Sequence, residues 1–265
     1  MFDSGVGGLT VLHECLVSLP EEDFVYLGDT AWFPYGVKDT VALRERIRAI
    51  AELLLGAGAK LLVIACNTAT SIGEDVAREV ASEHGVDVVP VVEPQAEIAA
   101  AITDNERVGV LATPNTVESG AYRRALGEQG RELEVTEVEA PDLAPFIQDG
   151  SPFDEGVLEM ARAYCAPLRR AEVDTLILGC THYPLVAPML QRILGRDVRL
   201  VSGGHAVAAA VQRTLERQEL AREAGGEGAY RFLCTGDVEA FRGLGTRFLQ
   251  MPLGAVERIE IPTRR

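Results

Sequence analysis

Leu61-Leu62-Val63-Ile64-Ala65-Cys66-Asn67-Thr68 and Thr175-Leu176-Ile177-Leu178-Gly179-Cys180-Thr181-His182 follow one pattern. Each is an unbroken apolar run of strand length that ends on a cysteine and passes into polar residues suited to a helix start. An apolar run without alternation fits a strand covered on both faces, as in parallel sheets flanked by helices. Around these two runs the chain alternates short β-rich segments with longer helical ones. Phe24–Leu27, Val88–Val92, Val108–Leu111, Leu133–Val138, Val198–Val201, Arg231–Cys234 and Val256–Ile261 complete the expected strands. Helical spacing covers Leu9–Leu19, Thr40–Leu55, Ser71–His84, Val117–Leu126, Phe153–Arg170, Pro184–Leu194 and His205–Arg222. The alternation implies an α/β fold of βαβ units with parallel sheets.

The pattern occurs twice. A first pass runs from Phe2-Asp3-Ser4-Gly5 to Cys66, and a second from the matched Thr113 to Cys180; the intervals are 63 and 67 residues. Two pseudo-symmetric lobes are expected, one of residues 1–92 plus 203–265 and one of residues 93–202. Ligands of open α/β sheets sit at the carboxyl ends of strands, which places a site in the cleft between the lobes, with Cys66 and Cys180 on its walls.

Composition narrows the function classes. The 40 acidic residues outnumber the 25 basic ones, a net charge of −15, so no general nucleic-acid surface is expected. No apolar run reaches the length of a membrane span and no signal peptide is legible, so a soluble cytoplasmic protein is expected. Five cysteines at irregular spacing read as free thiols. An anionic substrate would meet an unfavourable mean field and would need local N–H groups and hydroxyls to hold it.

A helix start supplies such N–H groups, and its field favours a thiolate. One cysteine there is weak evidence of function, because buried cysteines serve as small hydrophobes. Two at matched positions of two repeats point to chemistry. No C-x-x-C occurs, and a metal site would need more ligands than the lone nearby His182. One base on each face of a carbon is what inversion of a stereocentre by proton transfer requires, one sulfur as thiolate and the other as thiol. Cys15, Cys165 and Cys234 lack this setting and read as packing residues. His13, His84 and His205 read as structural or solvated, and Trp32 as loop packing. Gly5-Val6-Gly7-Gly8 lacks the spacing of a nucleotide loop and reads as a tight turn bringing backbone near the substrate.

Five segments in order, FDSGVGGLTVL from Phe2, YLGDTAWFPYG from Tyr26, VIACNTAT from Val63, GVLATPNTVESGAY from Gly109 and LGCTHYPL from Leu178, resemble the bacterial glutamate racemases. The resemblance covers residue 2 to about residue 200. It implies two α/β lobes, no pyridoxal phosphate or other cofactor, no metal, glutamate as substrate, and supply of D-glutamate for peptidoglycan. It makes Cys66 and Cys180 the acid/base pair, with Asp3 and His182 assisting. Asp3, Ser4, Tyr35, Gly36, Asn67, Thr68, Thr181 and His182 match its substrate-binding positions. Ser4, Asn67, Thr68 and Thr181 are expected to donate to the substrate carboxylates, and Asp3 to accept from the α-ammonium or to assist Cys66. A homodimer follows by analogy.

The sequence departs from that pattern in places. Only Met1 and Phe2 precede Asp3 in this sequence, so most of the strand that the pattern places before Asp-Ser-Gly is expected to be missing. Gln148 in Pro145-Phe146-Ile147-Gln148-Asp149 stands where a glutamate is common, and Gln95 where a glycine is. Val201-Ser202-Gly203 differs from the usual Asp-Ser turn. The nearest rival reading is aspartate racemase, against which Cys180-Thr181-His182 weighs. A partner-binding regulator, such as an inhibitor of DNA gyrase, is the rival from another class, and the retention of both cysteines weighs against it.

Overall fold

All strand pairings described are parallel. The computed structural model describes residues 1–149, 155–223 and 225–262. The first stretch contains β1 Phe2–Asp3, α1 Leu9–Ser18, β2 Phe24–Gly28, α2 Thr40–Gly56, β3 Leu61–Val63, α3 Asn67–Glu83 and β4 Asp87–Val89. After α4 Val92–Ile102 come β5 Arg107–Ala112, α5 Pro114–Glu118, α6 Ala121–Gly127, β6 Glu134–Glu139 and α7 Leu143–Gln148. Then follow α8 Glu155–Arg170, β7 Thr175–Gly179, α9 Ala187–Leu194 and β8 Arg199–Val201. The chain closes with α10 Gly203–Arg217, β9 Tyr230–Cys234, α11 Val238–Leu249 and β10 Val256–Arg258. Tyr35–Val37 and Tyr183–Val186 are 3-10 turns.

The repeat is visible in the strand order. One sheet runs β6-β5-β7-β8. The other holds β1-β2-β9-β10, and the pair β3-β4 joins its β1 edge through a parallel bridge between Phe2 and Ile64. The Ala65 amide donates to the Phe2 carbonyl and the Ile64 amide to the Val89 carbonyl, which continues the ladder. The order β2-β1-β3-β4 thus repeats β6-β5-β7-β8, with β9 and β10 added outside β2. Strand β7 is buried along its whole length, as an unbroken apolar run requires. Each fully buried Leu or Ile of such a strand contributes about 1.5–3 kcal/mol. Two-residue β1 pairs Phe2 with Leu27 and Asp3 with Gly28, which is enough to fix Asp3 at a strand end.

Several boundaries differ from the sequence expectation. Pro90 ends β4 early, and the run expected as Val88–Val92 gives its last residue to α4. Gly120, at φ 66°, splits Val117–Leu126 into two short helices. Helix α3 starts at Asn67 rather than Ser71, because the Cys66 sulfur caps it by accepting from the Ala69 amide at 3.4 Å. Helices α4, α7 and α11 had no counterpart in the reading; Pro94 and Pro145 obscured the first two. The expected start of helix Phe153–Arg170 lies outside the described residues.

Candidate active site

The two matched cysteines meet on one small, tightly closed pocket of about 20 Å³, lined by both sheets' strand ends. Ser4, Cys66, Asn67 and Thr68 come from the first sheet's side, with Tyr35 and Gly36 from the turn after β2. Thr113, Ala144, Cys180, Thr181 and His182 come from the second sheet's side. Among the described residues the pocket lining holds no Asp, Glu, Lys or Arg. All five cysteines are free and buried.

Asp3 sits behind this lining rather than in it. It is fully buried, and its Oδ2 accepts from the amides of Gly5 at 3.1 Å and Gly8 at 3.0 Å. Its Oδ1 takes the Thr181 hydroxyl at 3.4 Å. The glycine turn therefore wraps the Asp3 carboxylate, because a buried carboxylate needs donors and the turn has spare N–H groups. Burial raises the Asp3 carboxyl above its ordinary value, against the opposing Gly8 and Gly5 bonds and the hydrogen bond with Cys66. A β-carbon on Gly7 would collide with Thr181 Oγ1 and lie 2.5 Å from His182 Nδ1, so that close approach needs glycine.

Neither thiol behaves as an isolated helix start suggests. Burial pushes Cys66 up to about 12, the Asp3 charge adds to this, and the Ala69 and Ser4 hydrogen bonds oppose it. Burial likewise raises Cys180 well above its ordinary value, opposed by the His182 amide and reinforced by Cys66 and Asp3. Desolvation outweighs the favourable N–H groups. Cys180 is also followed by a 3-10 turn, not an α-helix. The closed pocket holds two thiols.

His182 is enclosed by the rings of Phe33 at 5.2 Å and Phe248 at 5.1 Å, and burial depresses it to about 3. The imidazole is neutral. Its Nε2 lies 3.0 Å from Gln148 Oε1, so Nε2 carries the hydrogen and Nδ1 keeps its lone pair. Nδ1 lies 3.8 Å from the Cys180 sulfur, placed to accept that thiol's proton.

The Tyr35–Gly36 turn is fixed from both sides. Tyr35 donates to Asp29 at 2.6 Å, and Asn115 of α5 donates to the carbonyls of Tyr35 and Lys38. Gly36 packs where a β-carbon would stand 2.5 Å from the Thr113 Cβ. Thr68 and Thr113 share a hydrogen bond of 2.9 Å across the pocket. Asn67 departs from its expected role as a donor to substrate: its amide nitrogen is spent on Gln95 Oε1 at 2.8 Å and the Tyr122 hydroxyl at 2.6 Å. Sequence reading missed Thr113, Phe33, Phe248 and Tyr122. Thr113 was legible as the repeat counterpart of Asp3; the aromatic residues carry no local signal. His13 bonds the Leu249 carbonyl, and the largely exposed His205 bonds Glu14.

Fold and pocket together define a pseudo-symmetric α/β protein whose two halves each place a cysteine on a shared, closed site. The family model described as Asp/Glu/hydantoin racemase matches residues 17–211, and the chain belongs to that family. It is 44% identical over 265 residues to a glutamate racemase of Mycobacterium tuberculosis, covering 100% of this chain and 96% of that one. A crystal structure of a Bacillus anthracis glutamate racemase isoform superposes with a TM-score of 0.93 at 32% identity, covering 99% and 97% of the two chains. The Francisella tularensis glutamate racemase, solved in complex with D-glutamate, gives 0.91 at 30% identity over 98% and 96%. Among the described residues no helix is long and apolar enough to cross a membrane.

Proposed function

We propose that this protein is a glutamate racemase, interconverting L- and D-glutamate by moving the Cα proton between Cys66 and Cys180. The observation that carries the reading is the pair of buried thiols at matched strand ends of the two halves, lining one pocket. The full-length similarity to glutamate racemases supports glutamate as the substrate.

In each direction one sulfur, as thiolate, takes the Cα proton while the opposite thiol gives its own to the other face. The electron pair left on Cα is held by the adjacent carboxylate and returns to the incoming proton. Nothing is oxidised or reduced, and the thiol and thiolate exchange places. The starting thiolate needs a proton acceptor. Asp3 is hydrogen-bonded to Cys66, and the bare Nδ1 of His182 faces Cys180. Both belong to the machinery as acid/base partners of the sulfurs. Ser4, Thr68 and Thr181 supply hydroxyls, and the first-turn N–H groups of α3 supply donors for the carboxylates. Tyr35 and Gly36 close the pocket. The reaction uses no bound cofactor or metal, takes place in the cytoplasm, and supplies D-glutamate for peptidoglycan. The two halves, residues 1–92 plus 203–265 and residues 93–202, act as two lobes, and a homodimer is the working assembly.

The test is incubation with L- or D-glutamate in heavy water without added cofactor. Loss of optical activity with deuterium entering Cα is expected, with aspartate a poor substrate, and Cys66→Ala or Cys180→Ala abolishing racemisation. Full activity in either variant overturns the two-thiol mechanism, and turnover of aspartate alone moves the substrate.

A further inference from the structure

Gln95 lies in α4, at the crossover between the two halves, and is fully buried. Its amide has only one allowed orientation. Nε2 points at the carbonyl oxygens of Leu178 at 3.2 Å and Val201 at 3.3 Å, and a carbonyl can only accept. Oε1 must therefore face the other way, where it takes the Tyr122 hydroxyl at 2.5 Å and the Asn67 amide nitrogen at 2.8 Å. Asn67 spends its second N–H on Tyr122 at 2.6 Å. With both hydrogens committed, Asn67 can offer the pocket only Oδ1. Turning the Asn67 amide over would set Oδ1 against Gln95 Oε1, two acceptors with a single tyrosine hydrogen between them.

That oxygen has a consequence for recognition, because among the described residues no carboxylate lines the pocket. Asp3 stands behind Cys66 and Thr181 with its oxygens already bonded. Among the lining side chains, Asn67 Oδ1 is the one oxygen that can never donate; every other is a hydroxyl. Resting on the reading of this pocket as an amino-acid site, we propose that Gln95 is a positioning residue. It fixes the Asn67 amide so that Oδ1 receives the substrate's α-ammonium, and it thereby helps select amino acids over diacids lacking that group. The chain of obligate donors and acceptors starts at the main chain of β7 and β8, two residues before Cys180. It ends on the residue that follows Cys66, so the selecting oxygen is held in register with both sulfurs.

The experiment compares wild type with Gln95→Met, which keeps length and bulk but neither bonds Asn67 nor holds the two carbonyls. Binding of D-glutamate and of glutarate, which has the two carboxylates and no ammonium, is measured with each, alongside kcat and KM. A hydrogen bond to a charged group is worth about ten- to hundredfold in affinity, so D-glutamate should weaken by about that factor. Glutarate should bind as before, and the loss should fall on KM more than on kcat. Adding Gln95→Met to Asn67→Ala should cost nothing further, since Gln95 acts through Asn67. Equal weakening of both ligands, or full additivity of the two substitutions, overturns the proposal. The wild type also carries a readout that needs no variant. In ¹⁵N-labelled protein the Asn67 side-chain NH₂ should exchange slowly with solvent and keep its shifts when glutarate binds; rapid exchange refutes the orientation. Wild-type protein that fails to racemise glutamate would instead refute the function proposed above, so the two failures are distinguishable.

Discussion

Replacing Arg46 by methionine should destabilise the protein by an amount that the geometry around Asp29 sets. Asp29 follows β2, is fully buried, and accepts Arg46 Nε at 2.8 Å and Nη2 at 2.7 Å. Two hydroxyls complete its shell, from Tyr35 at 2.6 Å and Thr235 at 2.7 Å. The Arg46 side chain is only 10% exposed and also lies over the Trp32 ring. Methionine keeps the aliphatic stem but strands the carboxylate without its counter-charge. Breaking a buried pair costs about 3–5 kcal/mol, and the two surviving hydroxyls put this case near the lower end, about 3 kcal/mol. For a chain of this size each kcal/mol moves Tm by about 2–4 °C, so a drop of about 6–12 °C is expected by calorimetry. Tyr35 shares the same carboxylate, so KM should rise as the turn over the pocket loosens. The sign of a second comparison is stricter. Adding Asp29→Asn removes the stranded charge, so the double variant should melt above Arg46→Met alone. A loss below about 1 kcal/mol for Arg46→Met, or a double variant as unstable as the two singles summed, would show that Asp29 does not depend on this counter-charge.

Three further outcomes follow from the same geometry. Gly7→Ala should sharply lower kcat in a protein that still folds, because the new methyl displaces His182 and Thr181; circular dichroism beside the deuterium-exchange assay checks this, and undiminished kcat counts against the packing. Gln148→Glu puts a carboxylate against His182 Nε2, which raises the imidazole from about 3. The acid limb of the kcat–pH profile should then shift to higher pH, since the neutral imidazole is lost sooner as pH falls; an unmoved limb would show that catalysis does not depend on neutral His182. Finally, burial pushes Cys15 up to about 12 from an ordinary value near 9. The folded state thus keeps a proton that the unfolded chain gives up, and this stability is present below pH 9 and lost as pH rises toward 12. The slope is about 1.4 kcal/mol per pH unit for each such thiol. Cys15→Ala should flatten the fall in urea midpoint measured between pH 9 and 11, and an unchanged slope would show that Cys15 does not titrate this way.

Much of the site was legible because it is written into a duplication. The runs ending in Cys66 and Cys180 announce buried parallel strands, and their matched spacing announces two halves with one cysteine each. Asn67, Thr68, Thr181 and His182 came with them as neighbours in sequence. Residues that reach the pocket from elsewhere gave no such signal: Phe248 arrives on α11, an element absent from the reading, and Tyr122 on α6 after the break at Gly120.

Which residues could do the chemistry, and that two copies of one unit would present them, is written along the chain, because strand burial and repeat spacing are local properties. Tertiary structure alone decided their electrical state and direction. The field of a helix start favours thiolates, yet burial on both sides of the closed pocket makes Cys66 and Cys180 thiols. An amide in a sequence is both donor and acceptor; only the carbonyls of Leu178 and Val201, reached through Gln95, turn Asn67 into an acceptor. Desolvation and hydrogen-bond partnership depend on what lies across the cleft, and no stretch of chain carries that information alone.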